Sequence, residues 1–491
     1  MIPDDDPDVA ASWAAAPSFY DAPHPPGTVP RQYQLAGVEY HLARKHALFG
    51  DAPGLGKTPE CVMLGNAIEA KRTLVVCPAS LRLNWEREIW RWSTTPNVRT
   101  YPIMAARDGV SPEAHYVITS YDMLRNASIL RALLDLRWDH LILDEAHYLK
   151  DPRGNKRTKA ICAEDGLRSV VGRITMASGT ILPNQPVECY NAIRLLGWDA
   201  IDCASLEDFQ ATYYEYGGGF VTGPYSAKNA RGDWIIKRGP HWSDRVRNVP
   251  RNLDDLRDRL RKHVMIRRLK KDVLAELPPR QWHVFPLATT PGMRRALKHP
   301  GWKEVERLLD MGPEAFNAGA PIDGAISTAR RLLGEEKAES VADYAEELLV
   351  EGADKIVVAA WHHSVLRVLR ERLEKHGLAY MDGNTSSKRK QAEVDRFQKD
   401  DGVCVMLGQM QPLGEGWTLT AAQDVVLAEP YWVPGRNDQL LDRVHRFGQK
   451  GDMVIGHVPV VPDSLDERIM ATVVSKDASI YKALDAGGPT G

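Results

Sequence analysis

Two rhythms alternate along the chain. Short apolar runs, Thr73–Cys77 (TLVVC), Tyr116–Thr119 (YVIT), His140–Leu143 (HLIL) and Ile174–Ala177 (ITMA), are each followed by a polar or glycine-containing turn and a stretch at helical spacing. Strands buried on both faces read as continuous apolar runs, so this pattern predicts a parallel α/β sheet. The rhythm returns late, in Lys355–Trp361 (KIVVAAW), Val403–Gly408 (VCVMLG) and Asp424–Glu429 (DVVLAE). Between these halves, residues 201–292 are aromatic, glycine-rich and then strongly basic, without βα alternation, and residues 293–350 read as helical. The expected organisation is a flexible, Pro- and Asp-rich segment (1–27), a first α/β lobe (28–200), a basic insertion or linker (201–292), a helical lead (293–350), a second α/β lobe (351–480) and a tail (481–491).

Composition narrows the class. The chain has 491 residues, 43% hydrophobic and 26% charged, which excludes a largely disordered protein. No run approaches the roughly 18 apolar residues of a membrane-spanning helix, so no membrane partner is expected. The start, MIPDDDPDVA, lacks the basic and apolar regions of a secretion signal. Six dispersed cysteines with no C-x-x-C pair argue against a zinc module and a disulfide scaffold, and fit a reducing compartment. Net charge is −2, yet Lys228 to Lys271 holds fifteen Lys/Arg against five Asp/Glu. That segregation suits either a localised polyanion site or a solvated basic helix face.

The segment Asp51-Ala-Pro-Gly-Leu-Gly-Lys-Thr58 lies between the apolar Ala47-Leu-Phe49 and a helical stretch from Glu60 to Ala70. Asp51 stands where the phosphate-loop pattern has its first glycine, but the demanding part is present. Gly54 and Gly56 let backbone amides turn toward phosphate oxygens, and the following helix N-terminus adds a positive dipole end. Lys57 is placed to neutralise β- and γ-phosphates and Thr58 to ligate Mg²⁺. Pro59 falls in the first helical turn, where a missing N–H costs little.

Asp144-Glu-Ala-His147 directly follows Leu141-Ile-Leu143. A strand's carboxyl end faces the ligand crevice of a parallel sheet, so Asp144 is expected near the metal and Glu145 near the attacking water. Far along the chain, Gln439, Arg443 and Arg446 stand at i, i+4 and i+7, one helix face, with Leu440, Val444 and Phe447 as the neighbouring buried stripe. Two guanidiniums on one face suit arginine fingers delivered across a cleft.

GLGKT, DEAH and Ser178-Gly-Thr180 together resemble the motor of helicase superfamily 2, and more narrowly the Swi/Snf-type DNA-translocating ATPases, from Arg31 to about residue 480. Arg31-Gln-Tyr-Gln34 is similar to the family's adenine-side motif, Val76-Cys-Pro-Ala-Ser80 with Asn84-Trp85 to a strand-contact motif, and Arg267-Arg-Leu-Lys-Lys271-Asp-Val with Glu276-Leu-Pro-Pro279 to its most specific first-half signature. Met381-Asp-Gly-Asn-Thr385, Gly414-Glu-Gly416-Trp-Thr and Gln439-to-Gln449 resemble its second-half motifs. Glu429-Pro-Tyr-Trp432-Val-Pro and Phe209-x3-Tyr213-Tyr214 resemble the HARP-like annealing-helicase branch, which also has compact bacterial and phage forms. Ala52, Pro53, Ile181 and Gln409 depart from the pattern.

The resemblance implies two RecA-like parallel-sheet lobes with a family-specific insertion, and ATP with Mg²⁺ bound between them. Lys57, Thr58 and Asp144 would hold Mg–ATP, Glu145 would activate water, and Arg443 and Arg446 would reach across. Arg31, Gln34, Gly54, Gly56, Gly414, Gly416 and Gln439 would complete the nucleotide site. Double-stranded or forked DNA would be contacted through Ser80, Thr180, Arg267, Arg268, Lys270, Lys271, Thr385, Lys388 and Arg389, sequence-blind groups suited to phosphate. Translocation with re-annealing or remodelling is the implied activity, in the nucleoid of a bacterial or phage host or the nucleus of a eukaryote. A remodeller of a DNA-bound protein such as RNA polymerase uses the same motor; an RNA helicase or a non-catalytic DNA-binding module fits the motifs less well. A β-hairpin over Phe220–Arg238 is expected, and Trp85, Ile89 and Trp92 are read as core. No metal site beyond nucleotide-borne Mg²⁺ is expected at His362 or His363.

Overall fold

A computed structural model describes residues 12, 20–179, 186–197, 200–216, 219–228, 234–243, 247–273, 277–300, 302, 324–431, 434–446, 448–462, 464, 466–467 and 470; side chains of residues 217–248, 271, 324–326 and 434–435 lie outside the description. Thr180, Ile181, Glu276, Trp432 and Phe447 therefore fall outside it, as does the side chain of Lys271.

The first apolar rhythm builds one sheet. Strands β1 (His46–Phe49), β2 (Thr73–Cys77), β3 (Thr100–Pro102), β4 (Tyr116–Ser120), β5 (Trp138–Asp144) and β6 (Val171–Ala177) pair parallel. Next come β7 (Tyr214–Tyr216), β8 (Gly219–Lys228), β9 (Trp234–Ser243), β10 (Arg247–Pro250) and β11 (Met265–Ile266). The sheet order is β11-β1-β6-β5-β2-β4-β3, so a strand from beyond the insertion closes the edge beside β1. The second rhythm gives β12 (Arg280–Pro286), β13 (Ile356–Ala360), β14 (Leu378–Met381), β15 (Val405–Gln409), β16 (Asp424–Leu427) and β17 (Val454–Val460), parallel in the order β12-β17-β16-β13-β15-β14.

These two sheets correct two boundaries. Met265–Ile266 belongs to the first lobe and Arg280–Pro286 to the second, so the span 201–292 is not one insertion. Two-residue and seven-residue runs bordered by arginines carry too little apolar signal to be read as strands. The expected hairpin is present as β8 paired antiparallel with β9, Lys228 opposite Trp234, and β7 pairs with β10. The lead-in packs on the first lobe: Ser12 and Ala22 are buried, and the Ser12 carbonyl accepts from the Arg267 amide.

Helices flank both sheets. Those that position the site are α1 (Gln32–Leu42), α2 (Lys57–Ala67), α3 (Arg82–Trp92), α4 (Leu253–His263), α5 (Gly324–Val350), α6 (Ser387–Lys399) and α7 (Pro434–Val444). Trp85, Ile89 and Trp92 are buried at 1%, 0% and 5% exposure, as their spacing predicts. Helix α7 ends at Val444, so Arg446 lies past its last turn, although Leu440 and Val444 form the buried stripe. Among the described residues no helix is long and apolar enough to cross a membrane.

Candidate nucleotide site

A cavity of about 340 Å³ lies between the lobes. Gly54, Gly56, Lys57 and Thr58 of the loop before α2, Arg31 and Gln34 at the start of α1, and Asp144 and Glu145 at the end of β5 line it from one side. Gly416, Gln439, Arg443 and Arg446 line it from the other. Residues separated by more than four hundred positions thus share one solvent-accessible space.

The phosphate loop is held from beneath. Gly54 and Gly56 adopt φ of 90° and 82°, left-handed conformations that favour glycine. A Cβ on Gly56 would also lie 2.4 Å from the Gln34 amide nitrogen. Gln34 itself is committed: its Oε1 accepts from the Arg31 amide at 2.8 Å, and its Nε2 donates to the Leu55 and Gly56 carbonyls at 3.2 Å each. Its amide therefore pins the loop in this structure and is not free to read a base. The Lys57 ammonium donates to the Asp51 and Ala52 carbonyls at 2.7 and 3.3 Å, at the wall of the cavity.

Asp51, the residue in the first glycine position, is fully buried. Its carboxylate takes the guanidinium of Arg268, which donates to Oδ1 at 2.9 Å and to Oδ2, and also pairs with Glu60 at 2.8 Å. Arg267 donates to the Gly50 and Gly179 carbonyls, and Lys270 to Asp442 at 2.7 Å and to the His445 carbonyl. Arg267, Arg268 and Lys270, expected on DNA, are 6%, 1% and 8% exposed, and face protein. Arg268 and Lys270 are neutralised internally and Arg267 is held by carbonyls, which removes these three as second-strand contacts in this arrangement. Charge count alone does not reveal this, because the partners Asp51, Glu60 and Asp442 are remote in sequence.

At the end of β5, burial and the Glu145 charge raise the Asp144 carboxyl above its ordinary range, partly offset by a 2.8 Å hydrogen bond from Trp85 Nε1 to Oδ2. Glu145 sits at φ 51°, ψ 53°, a left-handed backbone costly for a non-glycine residue and a feature of functional sites. Burial pushes its carboxyl up, but the hydrogen bond and charge of His147, then Arg443 and Lys57, outweigh it and hold the group below its ordinary range. The Glu145–His147 separation is 3.2 Å and Glu145–Arg443 3.7 Å, and His147 Nδ1 lies 3.3 Å from Ser178 Oγ.

Arg443 Nε donates to the Gly414 carbonyl at 2.9 Å, so Gly414 orients this guanidinium and stands back from the cavity. Burial and the Arg443 charge lower Arg446 to about 9. Its guanidinium bonds the Asp442 carbonyl at 3.0 Å and Thr418 Oγ1 at 3.4 Å.

Other expected DNA contacts divide. Ser80 is buried at 5% where α6 and Glu415 cover it, so it offers no phosphate contact in this arrangement. The Thr385 hydroxyl donates to Asp382 Oδ1 at 2.8 Å and accepts from the Asp382 amide at 3.0 Å, locking its own turn. Lys388 and Arg389 are exposed in the first turn of α6 and remain available to phosphate. Thr180 lies outside the described residues. Gln409, one of the departures, uses its longer amide to bridge the Trp361 carbonyl and the Gly383 amide, both at 3.1 Å. His362 is held at 2.6 Å by Glu429. Among the described residues no group of three His, Cys, Asp or Glu forms a metal cluster.

A family model described as the SNF2-related domain matches residues 33–314, and one described as the helicase conserved C-terminal domain matches residues 339–448. The chain is 29% identical over 454 residues to the SWI/SNF-related matrix-associated actin-dependent regulator of chromatin subfamily A-like protein 1 of Xenopus tropicalis, covering 90% of this chain and 44% of that protein. It is 28% identical over 454 residues to the mouse (Mus musculus) DNA annealing helicase and endonuclease ZRANB3, covering 90% and 40%. The chain thus spans less than half the length of these curated relatives. A solved Sulfolobus solfataricus SWI2/SNF2 ATPase core in complex with dsDNA is similar at 20% identity and TM-score 0.41, over 93% of this chain and 97% of that one.

Proposed function

Because the chain belongs to the SNF2-related family, we propose that it is an ATP-hydrolysing motor that moves on double-stranded or forked DNA and remodels or re-anneals it. One observation carries this reading: Lys57, Asp144 and Glu145 of the first lobe share a cavity with Arg443 and Arg446 of the second. Phosphoryl transfer needs charge stabilisation on all sides of the γ-phosphate, and this arrangement supplies it from both lobes.

The Lys57 ammonium moves from loop carbonyls to the β- and γ-phosphates. Glu145 orients and deprotonates water once Arg443 leaves its carboxylate for the phosphate. The Thr58 hydroxyl and Asp144 carboxylate are hard oxygen donors that fit Mg²⁺, which neutralises phosphate charge when bound; two protein ligands with phosphates and waters suit that ion. Lys388 and Arg389 grip DNA phosphate from the second lobe, so that each closure of the cleft shifts the hold. The annealing activity named for the mouse relative supports the re-annealing reading, and a motor of this kind works where its DNA is, in a nucleoid or a nucleus.

Steady-state ATP hydrolysis at one salt concentration tests the reading, with no nucleic acid, single-stranded DNA, duplex, forked DNA and double-stranded RNA compared. Stimulation by duplex, and more by forks, is expected. Stimulation by RNA alone overturns the substrate. Robust hydrolysis indifferent to all of them overturns the DNA motor in favour of a protein activator.

A further inference from the structure

The chain passes from the first sheet to the second through residues 267–280, which follow β11 and lead into β12. The start of this connection serves both lobes. Arg267 donates to the Gly50 and Gly179 carbonyls at 2.6 and 3.1 Å, and the Arg268 amide and Nε both donate to Asp51 Oδ1 at 2.9 Å, so this end is fixed to the base of the phosphate loop. Two residues on, Lys270 donates to Asp442 Oδ1 at 2.7 Å, to His445 Nδ1 at 3.2 Å and to the His445 carbonyl. Arg280 takes the same Asp442 oxygen at 2.8 Å, and the Pro278 carbonyl accepts from His445 Nε2 at 2.8 Å.

The connection thus grips the residues just before Arg443 and just before Arg446. Lys270, Asp442 and His445 do not line the cavity, whereas Arg446 does. Arg446 lies beyond the last residue of α7, where helical hydrogen bonds no longer fix the backbone. Its Nε donates to the Asp442 carbonyl at 3.0 Å, and Asp442 is the residue whose carboxylate Lys270 and Arg280 bind. Both long side chains also reach the phosphate loop: a Cβ added at Gly54 would stand 2.9 Å from Arg446 Cγ and 3.4 Å from Lys270 Cε. A guanidinium that stabilises developing charge works only from a narrow range of positions, and a displacement of about 1 Å can slow a reaction on the order of a hundredfold.

We propose that Lys270 is the positioning residue for Arg446: through Asp442 and His445 it sets that guanidinium against the phosphate loop, to which Arg267 and Arg268 fix the same connection. The segment between the lobes is then a gauge as well as a link, and Arg446 reaches its working position when Lys270 is seated on Asp442. The proposal rests on the ATP-hydrolysis reading and goes beyond it, because it gives a role in turnover to a side chain outside the cavity.

Steady-state ATP hydrolysis by the full chain with Mg²⁺ and duplex DNA tests it in wild type, Lys270→Met, Lys270→Arg, Arg446→Ala and the double variant Lys270→Met/Arg446→Ala. Lys270→Met is expected to lower kcat about tenfold or more while KM for ATP stays within about threefold, the pattern of a lost transition-state interaction. Lys270→Arg, which keeps a cation for Asp442, should retain part of the rate. The double variant should be no slower than Arg446→Ala alone, because a residue that acts through Arg446 has nothing left to position; a general structural defect would instead multiply the two losses. Circular dichroism confirms folding at the assay temperature, and Asp442→Asn, which removes the partner charge at constant shape, replaces Lys270→Met in the same comparison if that variant melts too low. A kcat within about twofold of wild type in the folded variant overturns the proposal. So do losses that multiply in the double variant, and so does wild-type turnover in Arg446→Ala. Wild type that hydrolyses no ATP overturns the ATP-hydrolysis reading itself, a distinct failure.

Discussion

The indole nitrogen of Trp85 donates to Oδ2 of Asp144 at 2.8 Å, tying a core residue of α3 to the carboxylate at the tip of β5. A hydrogen bond to the charged form favours it, so Trp85 counteracts the burial that raises Asp144. Trp85→Phe keeps most of the packing and removes the donor. The acid limb of the kcat/KM profile should move to higher pH, because protonated Asp144 then persists further up the scale. Stability should fall by about 1 kcal/mol. An unmoved acid limb would show that Trp85 acts as packing alone.

Glu145 and Arg443 sit 3.7 Å apart across the cleft, the proposed base and the proposed finger paired with each other. Arg443→Ala should lower turnover about a hundredfold or more while changing ATP affinity only severalfold, because the guanidinium acts on transition-state charge. Lys57→Ala and Glu145→Gln should abolish hydrolysis and leave DNA binding largely intact. Normal hydrolysis with lost DNA binding would remove these assignments.

Lys270 and Asp442 join the segment after β11 to the helix that bears Arg443. Lys270→Met leaves a buried carboxylate with Arg280 as its remaining cation, at 2.8 Å. The expected loss is about 3 kcal/mol in denaturant unfolding, with DNA affinity unchanged. A selective loss of DNA affinity, with stability intact, would restore Lys270 as a DNA contact.

Lys388→Ala and Arg389→Ala should do the reverse. Each should weaken binding to duplexes of any sequence alike and reduce the slope of log affinity against log salt by about 1. Stability should stay within about 0.5 kcal/mol, as at exposed positions generally. A slope identical to wild type in both variants would take α6 out of the DNA path.

Burial, with the Arg173 charge, lowers His140 to about 3 and His41 well below its ordinary value. Both are neutral in the folded chain near pH 7, while the unfolded chain takes up protons below about 6.5. Their contribution is therefore complete above about 6.5 and is lost as pH falls from there toward 3. The cost is on the order of 1 kcal/mol per histidine for each pH unit. Melting temperature should drop between pH 7 and 5, and His140→Asn should flatten that drop; a melting temperature constant over this range contradicts the assignment.

Much of the fold was legible because most strands are unbroken apolar runs, and the grouping of the candidate site's residues was legible because they stand at strand ends and loop glycines. Met265–Ile266 and Arg280–Pro286 were not, since a strand paired at a sheet edge needs little apolar signal and each of these has arginine at one end. The roles of Arg267, Arg268 and Lys270 were misread for another reason. A basic cluster has the same appearance whether water and phosphate or buried carboxylates surround it, and Asp51, Glu60 and Asp442 become neighbours only on folding. Gln34 lines the cavity, but its hydrogen bonds depend on where the loop carbonyls point, which spacing does not encode.

The edge strand Met265–Ile266 has a consequence for biosynthesis. As the chain leaves the ribosome, β1 through β6 emerge first, but the neighbour of β1 and the guanidinium that neutralises Asp51 arrive only after the β8–β9 hairpin has been made. A nascent first lobe therefore carries an unsatisfied buried acid beneath its phosphate loop until residue 268 is translated. Maturation of the ATP site and emergence of the hairpin are coupled in time, so an assembly intermediate truncated before that point holds a loop that is not yet set for nucleotide.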